Sequence, residues 1–276
     1  MSYKNLLIEE LRNDEDKKED LFSINAETDT YKTGIAPLDY ALGYVVRVYN
    51  DDNTVNEEYK ALGISGGCNV MTIGKSSTAK TSTMLYIAAN IVRKYESGSV
   101  IHFDLEQAMN LSRARTMTKF SIDEIKGGKY ILRQSDTSVE KIKRSIIKLY
   151  KKKKDNPETF KYNAGKKNEL GEDIVVYEPT VVLIDSIPSM TVEMNENDKK
   201  DLKKIEEISS QTDRMRLTGE IGRFYTDLLQ YIKSVNIITM SINHIKVNPN
   251  MGIVKSPAEL LYLKQDEALK SWGCPA

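Results

Sequence analysis

Gly74-Lys75-Ser76-Ser77-Thr78-Ala79-Lys80-Thr81 is the stretch on which the fold turns. The apolar run Val70 to Ile73 precedes it, and it opens a segment, Lys80 to Tyr95, with Met84, Ala88, Ile91 and Tyr95 on one helical face. It fits the pattern GxxxxGK[ST] except that Ala79 stands where the second glycine belongs. A small-residue loop between a strand and a helix presents backbone N–H groups and a positive helix end to phosphate. A lysine then reaches the β- and γ-phosphates and a hydroxyl reaches Mg²⁺. On this reading Gly74, Lys75, Ser76, Ser77, Thr78, Ala79, Lys80, Thr81 and Ser82 form the phosphate site, with Lys80 in open phosphate space and Thr81 on the metal. The plain alternative is a strand-to-helix turn capped by a hydroxyl. Ala79 matters only if its position needs a left-handed backbone, where a methyl group costs about 1 kcal/mol.

On either side of this stretch, short apolar runs alternate with helical spacings. Ser99 to Leu105 and Tyr130 to Arg133 read as strands, and Thr137 to Tyr150 as a helix with Val139, Ile142, Ile146 and Leu149 on one face. Val181 to Asp185 is a buried strand, about 215 to 234 a helix, and Ile237 to Ile242 a further strand. Repeated βα units with apolar strands imply an α/β fold, a mostly parallel sheet with helices on both faces. Residues 1–30 read as an appendage, a short helix NLLIEEL and a charged linker NDEDKKED, ahead of a core at 31–276. Hairpin insertions are expected at about 44–66 and 151–179. The second begins with Lys151 to Lys154, either a duplex-binding patch or a solvated helix end.

Acidic residues close two of the strands. Asp185 stands where a carboxylate supports the Mg²⁺ shell in a nucleoside triphosphatase, although an aspartate after an apolar run often only caps a turn. Ser99 to Leu105 leads to Asp104-Leu105-Glu106, facing the same crevice if the strands are parallel. Glu106 there can act as general base toward water, and Asp104 can take backbone or metal-shell hydrogen bonds. Asn243-His244 follows Ile237 to Ile242, placed either to sense a γ-phosphate or as satisfied structural groups. His102, inside an apolar strand, reads as a core residue.

Composition sets outer limits. The chain has 276 residues, with Lys plus Arg 40 and Asp plus Glu 40, so any nucleic-acid binding must rest on a local patch. Cys68 and Cys274 lack CxxC spacing, which argues against a disulfide framework or structural zinc site. The N-terminus has no apolar signal core and no run reaches transmembrane length, so a cytoplasmic protein without membrane contact is expected.

The succession TGIAPLDYALG, IGKSSTAKT, IHFDLEQAMNLSRAR, VVLIDSIPSM and IITMSINHIK, spanning about 31–247, resembles the RecA-type recombinases, especially those of large bacteriophages. The resemblance implies a RecA-like P-loop ATPase core using ATP and Mg²⁺. It gives Lys80 and Thr81 the nucleotide roles, Glu106 the activation of water, Asp185 the metal, and Asn243 with His244 the switch between ATP and DNA sites. Many family members carry Gln at the position of His244. Arg113 matches an aromatic position that stacks on adenine, and a planar guanidinium can stack too. Two loops would reach DNA, one within 191–211 and one within 246–265. In the second, Lys246, Asn248, Asn250, Met251 and Lys255 offer phosphate contacts and an apolar wedge.

The implied partners are single-stranded DNA, a homologous duplex and further copies of the chain in a helical filament. A family core continues past the second loop, whereas this sequence stops at LKQDEALKSWGCPA, so open sheet edges are expected. Two other readings share the ATP site: a ring-forming replicative helicase, and a nucleotide-binding regulatory protein without turnover. The FDLEQA segment favours the recombinase over the helicase.

Overall fold

A computed structural model describes residues 29–50, 52–136, 138–193 and 211–247 and a short strand at 267–269. It opens with β1 (Thr30–Tyr31), α1 (Ala36–Leu42), the antiparallel hairpin β2 (Tyr44–Tyr49) and β3 (Val55–Ala61), and β4 (Ile64–Ser65), which pairs antiparallel with β1. Pro37 suits the first turn of α1, where no N–H is needed. Asp39 accepts from the Thr33 N–H at 2.6 Å and hydroxyl at 2.7 Å, which fixes the entry. Gly63, at φ +97°, is the tight point: a Cβ there would lie 2.1 Å from the Tyr31 carbonyl oxygen.

Next come β5 (Asn69–Gly74), the phosphate-loop segment, α2 (Lys80–Val92), β6 (Ser99–Asp104), α3 (Leu111–Thr118), α4 (Ile122–Lys126), β7 (Tyr130–Arg133) and α5 (Val139–Asp155). The short helices α3 and α4 carry little apolar periodicity but clear start signals. The Asn110 side chain accepts from the Arg113 N–H, and Ser121 with Glu124 forms a reciprocal capping box. The remainder is α6 (Pro157–Phe160), the hairpin β8 (Lys161–Lys167) and β9 (Asp173–Tyr177), then β10 (Thr180–Asp185), α7 (Gln211–Ile232), β11 (Ile237–Val247) and β12 (Glu267–Leu269).

Five strands run parallel in the order β5-β11-β10-β6-β7, and β12 pairs antiparallel with the last residues of β11. All six residues of β10 are buried, as a central strand covered on both faces requires. Its side chains alternate. Val181 and Leu183 join α2 residues such as Leu85, Ala88 and Ile91 in one core, while Val182 and Ile184 join Ile142 and Ile146 of α5 and Phe224 and Leu228 of α7 in the other. Apolar burial on both faces, at about 25 cal/mol per Å², thus holds the strand at the centre of the sheet. Among the described residues no helix is long and apolar enough to cross a membrane.

Several boundaries differ from the sequence reading, and two of the differences bear on candidate residues. Helix α5 continues through Lys151 to Lys154 instead of ending at Tyr150, since lysines form helix readily and favour the negative C-terminal end. The four are not one surface patch: Lys153 is fully buried, and its Nζ donates to the carbonyls of Glu178 at 2.6 Å and Val235 at 3.1 Å. Burial pushes that ammonium down to about 7. Strand β11 runs to Val247, so Asn243, His244 and Lys246 belong to the strand and not to a following loop. Ladder partners in β5 and β12 supply what the polar sequence IN-H-I-K conceals.

Candidate functional site

Parallel pairing brings the carboxyl ends of the strands to one edge. Asp185 lies opposite Asp104, and His244 lies opposite Gly74 at the start of the phosphate loop. Because β11 runs between β5 and β10, His244 stands between the loop and the acids. A cavity of about 280 Å³ opens there, lined by Ser76, Ser77, Thr78, Ala79, Lys80, Thr81 and Ser82 together with Asp104, Glu106, Ala108, Met109, Arg113, Asp185 and His244.

The loop is wound tightly. Ser77 and Ala79 both have positive φ, 63° and 59°, so Ala79 does occupy the left-handed conformation in which a methyl is unfavourable. The Thr78 hydroxyl donates to the Lys75 carbonyl at 2.9 Å. Lys80 does not extend into open space: its Nζ folds back onto the carbonyls of Gly74 at 3.1 Å and Lys75 at 2.6 Å, and the residue is buried. Burial lowers the pKa of this ammonium, and the nearby carboxylates Asp185 and Glu106 oppose that shift. A cation held by two neutral carbonyls is readily given up to a multiply charged anion.

The acids divide their work. Asp185, at the end of β10, accepts the Thr81 hydroxyl at 2.6 Å on Oδ2. Burial raises its pKa, as do Glu106 and Asp104, while the Thr81 hydrogen bond and His244 pull it down. Asp104 is engaged with the following loop and the residue after β7: it accepts from the N–H groups of Ala108 at 3.2 Å and Met109 at 2.8 Å and from Gln134 Nε2 at 2.8 Å. It therefore shapes the turn after β6. Glu106 is exposed in that turn, and its Oε1 accepts from the Ser186 hydroxyl at 2.6 Å and meets His244 Nε2 at 3.2 Å. Glu106 is thus oriented from two strands at once.

Asn243 is buried in β11, its Oδ1 accepting the His244 N–H at 2.8 Å. Arg113 lies on α3 at the rim of the cavity, exposed, with Nη1 3.4 Å from the Ala108 carbonyl. Lys246 has a described backbone on β11, opposite Ala268. Asn248, Asn250, Met251 and Lys255 lie outside the described residues, as do most of the 191–211 loop and nearly all of the 1–30 appendage.

Sequence reasoning missed two side chains that build the site: Ser186, which holds Glu106, and Gln134, which holds Asp104. Both follow strands, β10 and β7, at the edge where the recognised acids lie, so polar residues one step past each strand were the available signal.

Among the described residues no cluster of three His, Cys, Asp or Glu forms a protein cage for a metal. The hydroxyl of Thr81 and the carboxylate of Asp185 are hard oxygen donors. They suit a Mg²⁺ ion whose remaining positions are filled by phosphate and water. A scan against protein-family models gives no match, and a search of curated proteins gives no match either.

Proposed function

We propose that the chain is the RecA-type core of an ATP-dependent DNA recombinase, which assembles on single-stranded DNA, pairs it with a homologous duplex and uses ATP hydrolysis to turn the filament over. The observation that carries this reading is the setting of Glu106: one carboxylate oxygen is held by Ser186 and His244, beside a phosphate loop and the Thr81–Asp185 pair. An arrangement in which β11 separates the phosphate-loop strand from the Asp185 strand fits that core.

The loop N–H groups and Lys80 bind the β- and γ-phosphates, and Lys80 leaves its two carbonyls to neutralise charge that builds on the transferring group. Thr81 and Asp185 would hold Mg²⁺. When bound, the ion contributes Lewis-acid charge on the phosphate oxygens. With Oε1 of Glu106 occupied, its other oxygen accepts a proton from water as the water oxygen bonds to the γ-phosphorus and the bond to the β,γ-bridging oxygen breaks. Arg113 at the rim stacks on the base. His244 contacts Glu106 and lies on the strand that leads into 248–265, so a change at the γ-phosphate is passed to the segment expected to meet DNA.

The test is ATP turnover with and without single-stranded DNA, together with electron microscopy of the assemblies. DNA-stimulated turnover and helical filaments support the proposal. Closed rings favour a helicase, turnover indifferent to DNA removes the recombinase role, and a chain that binds no ATP removes the whole reading.

A further inference from the structure

His102 lies within the core yet points a nitrogen at the metal-side carboxylate. It sits on β6 opposite Leu183, fully buried, with Nδ1 2.8 Å from the Tyr130 hydroxyl and Nε2 4.0 Å from Asp185 Oδ2. Nε2 has no hydrogen-bond partner among the described residues. The Tyr130 hydroxyl likewise has no described partner besides the imidazole. A phenol that donates to Nδ1 leaves the ring proton on Nε2. The opposite tautomer would strand the phenol proton and turn a lone pair toward a carboxylate. The result is a three-group line, Tyr130 to His102 to Asp185, that ends in a buried donor about 1 Å short of hydrogen-bond contact.

We propose that His102, oriented by Tyr130, is a positioning residue for Asp185: its Nε2–H is a second donor, beside Thr81, for the carboxylate oxygen Oδ2 and so fixes how the carboxylate presents itself to Mg²⁺. This rests on the nucleotide-site reading above. An apolar residue would fill the same core position, so packing alone does not explain an imidazole whose second nitrogen is left unpaired. A carboxylate that shares a metal site needs a second partner to define its orientation, and outer partners of this kind commonly change metal affinity by about 10- to 100-fold. Thr81 supplies one donor to Oδ2, and His102 supplies the other once the carboxylate closes the remaining gap.

The experiment titrates Mg²⁺ against binding of a fluorescent ATP analogue that is not hydrolysed, with metal-free binding as the baseline. His102→Leu should raise the Mg²⁺ concentration for half-maximal tightening about ten-fold or more while leaving metal-free affinity unchanged. His102→Gln, whose amide can offer a donor in the same direction, should recover most of the loss. The chain has two histidines, so ¹⁵N-imidazole spectra resolve His102 from His244 and read its tautomer without any nucleotide. A proton on Nε2 that moves to Nδ1 or becomes mixed in Tyr130→Phe supports the proposal.

A parent whose His102 proton resides on Nδ1 overturns it. So does a His102→Leu variant that folds and keeps the parental Mg²⁺ dependence. A parent that binds no analogue refutes the nucleotide-site reading itself, and one that binds it with no Mg²⁺ dependence overturns the metal role of Asp185 and of His102 with it.

Discussion

Replacing Ala79 by glycine should stabilise the protein. Ala79 sits at φ 59°, ψ 21° with its methyl exposed, so the methyl contributes little burial to set against the conformation it opposes. The left-handed conformation costs an L-residue about 1–2 kcal/mol. Glycine escapes that cost but brings about 0.4–1 kcal/mol of extra unfolded-state freedom that folding must remove. At the middle of those ranges the net gain is about 0.8 kcal/mol, which for a domain of this size is a rise in Tm of roughly 2–3 °C.

Lys119 provides an internal control. It has the same φ 59° and ψ 21° at the end of α3, outside the residues that line the cavity. Lys119→Gly should gain a similar amount, whereas Ala79→Val adds a β-branch to a left-handed residue and should lose stability. Thermal unfolding followed by circular dichroism measures all three, without nucleotide so that no ligand contributes to the midpoint. If Ala79→Gly lowers Tm while Lys119→Gly raises it, the left-handed strain is not carried by the phosphate loop and the reasoning fails.

Glu106→Gln should retain ATP binding but lose turnover by about 10²- to 10⁴-fold, because the amide keeps the shape and removes the base; loss of binding in an equilibrium titration would make the acid structural instead. Lys80→Ala should cut single-turnover hydrolysis by at least about 10²-fold with an unchanged helical spectrum, and parental turnover would refute the phosphate-loop assignment. For Lys153, burial holds the folded ammonium down at about 7, whereas the unfolded side chain keeps its proton to about 10.4. Between those values the unfolded state binds more protons, so stability rises with pH, at most by about 1.4 kcal/mol per pH unit. Urea midpoints from pH 6.5 to 9 should show this rise in the parent and a smaller one in Lys153→Met; equal slopes would mean that folded Lys153 stays charged across that range.

The order of the main strands and long helices, though not of the short helices α3, α4 and α6, was legible in the chain because it rests on local rules. Apolar runs of strand length, the 3.6-residue spacing of Met84, Ala88, Ile91 and Tyr95, and a glycine-led loop before Lys80-Thr81 act over a few residues. They mark β5, α2, β6, β7 and β10 without reference to the rest of the chain, and with them an α/β fold with a parallel sheet. The acids Asp104, Glu106 and Asp185 were found by the same means, as charged residues at the ends of apolar strands.

Which group each acid meets depended on strand order, which no local pattern contains. Only when β11 inserts between β5 and β10 does His244 come within 3.2 Å of Glu106, although 138 residues separate them. The same pairing carries β11 five residues past its apolar run, since ladder hydrogen bonds serve polar and apolar residues alike. Lys153 shows the limit most plainly: four consecutive lysines are indistinguishable as sequence. Helix geometry turns one of them inward, where two carbonyls from distant segments replace the water it would otherwise keep.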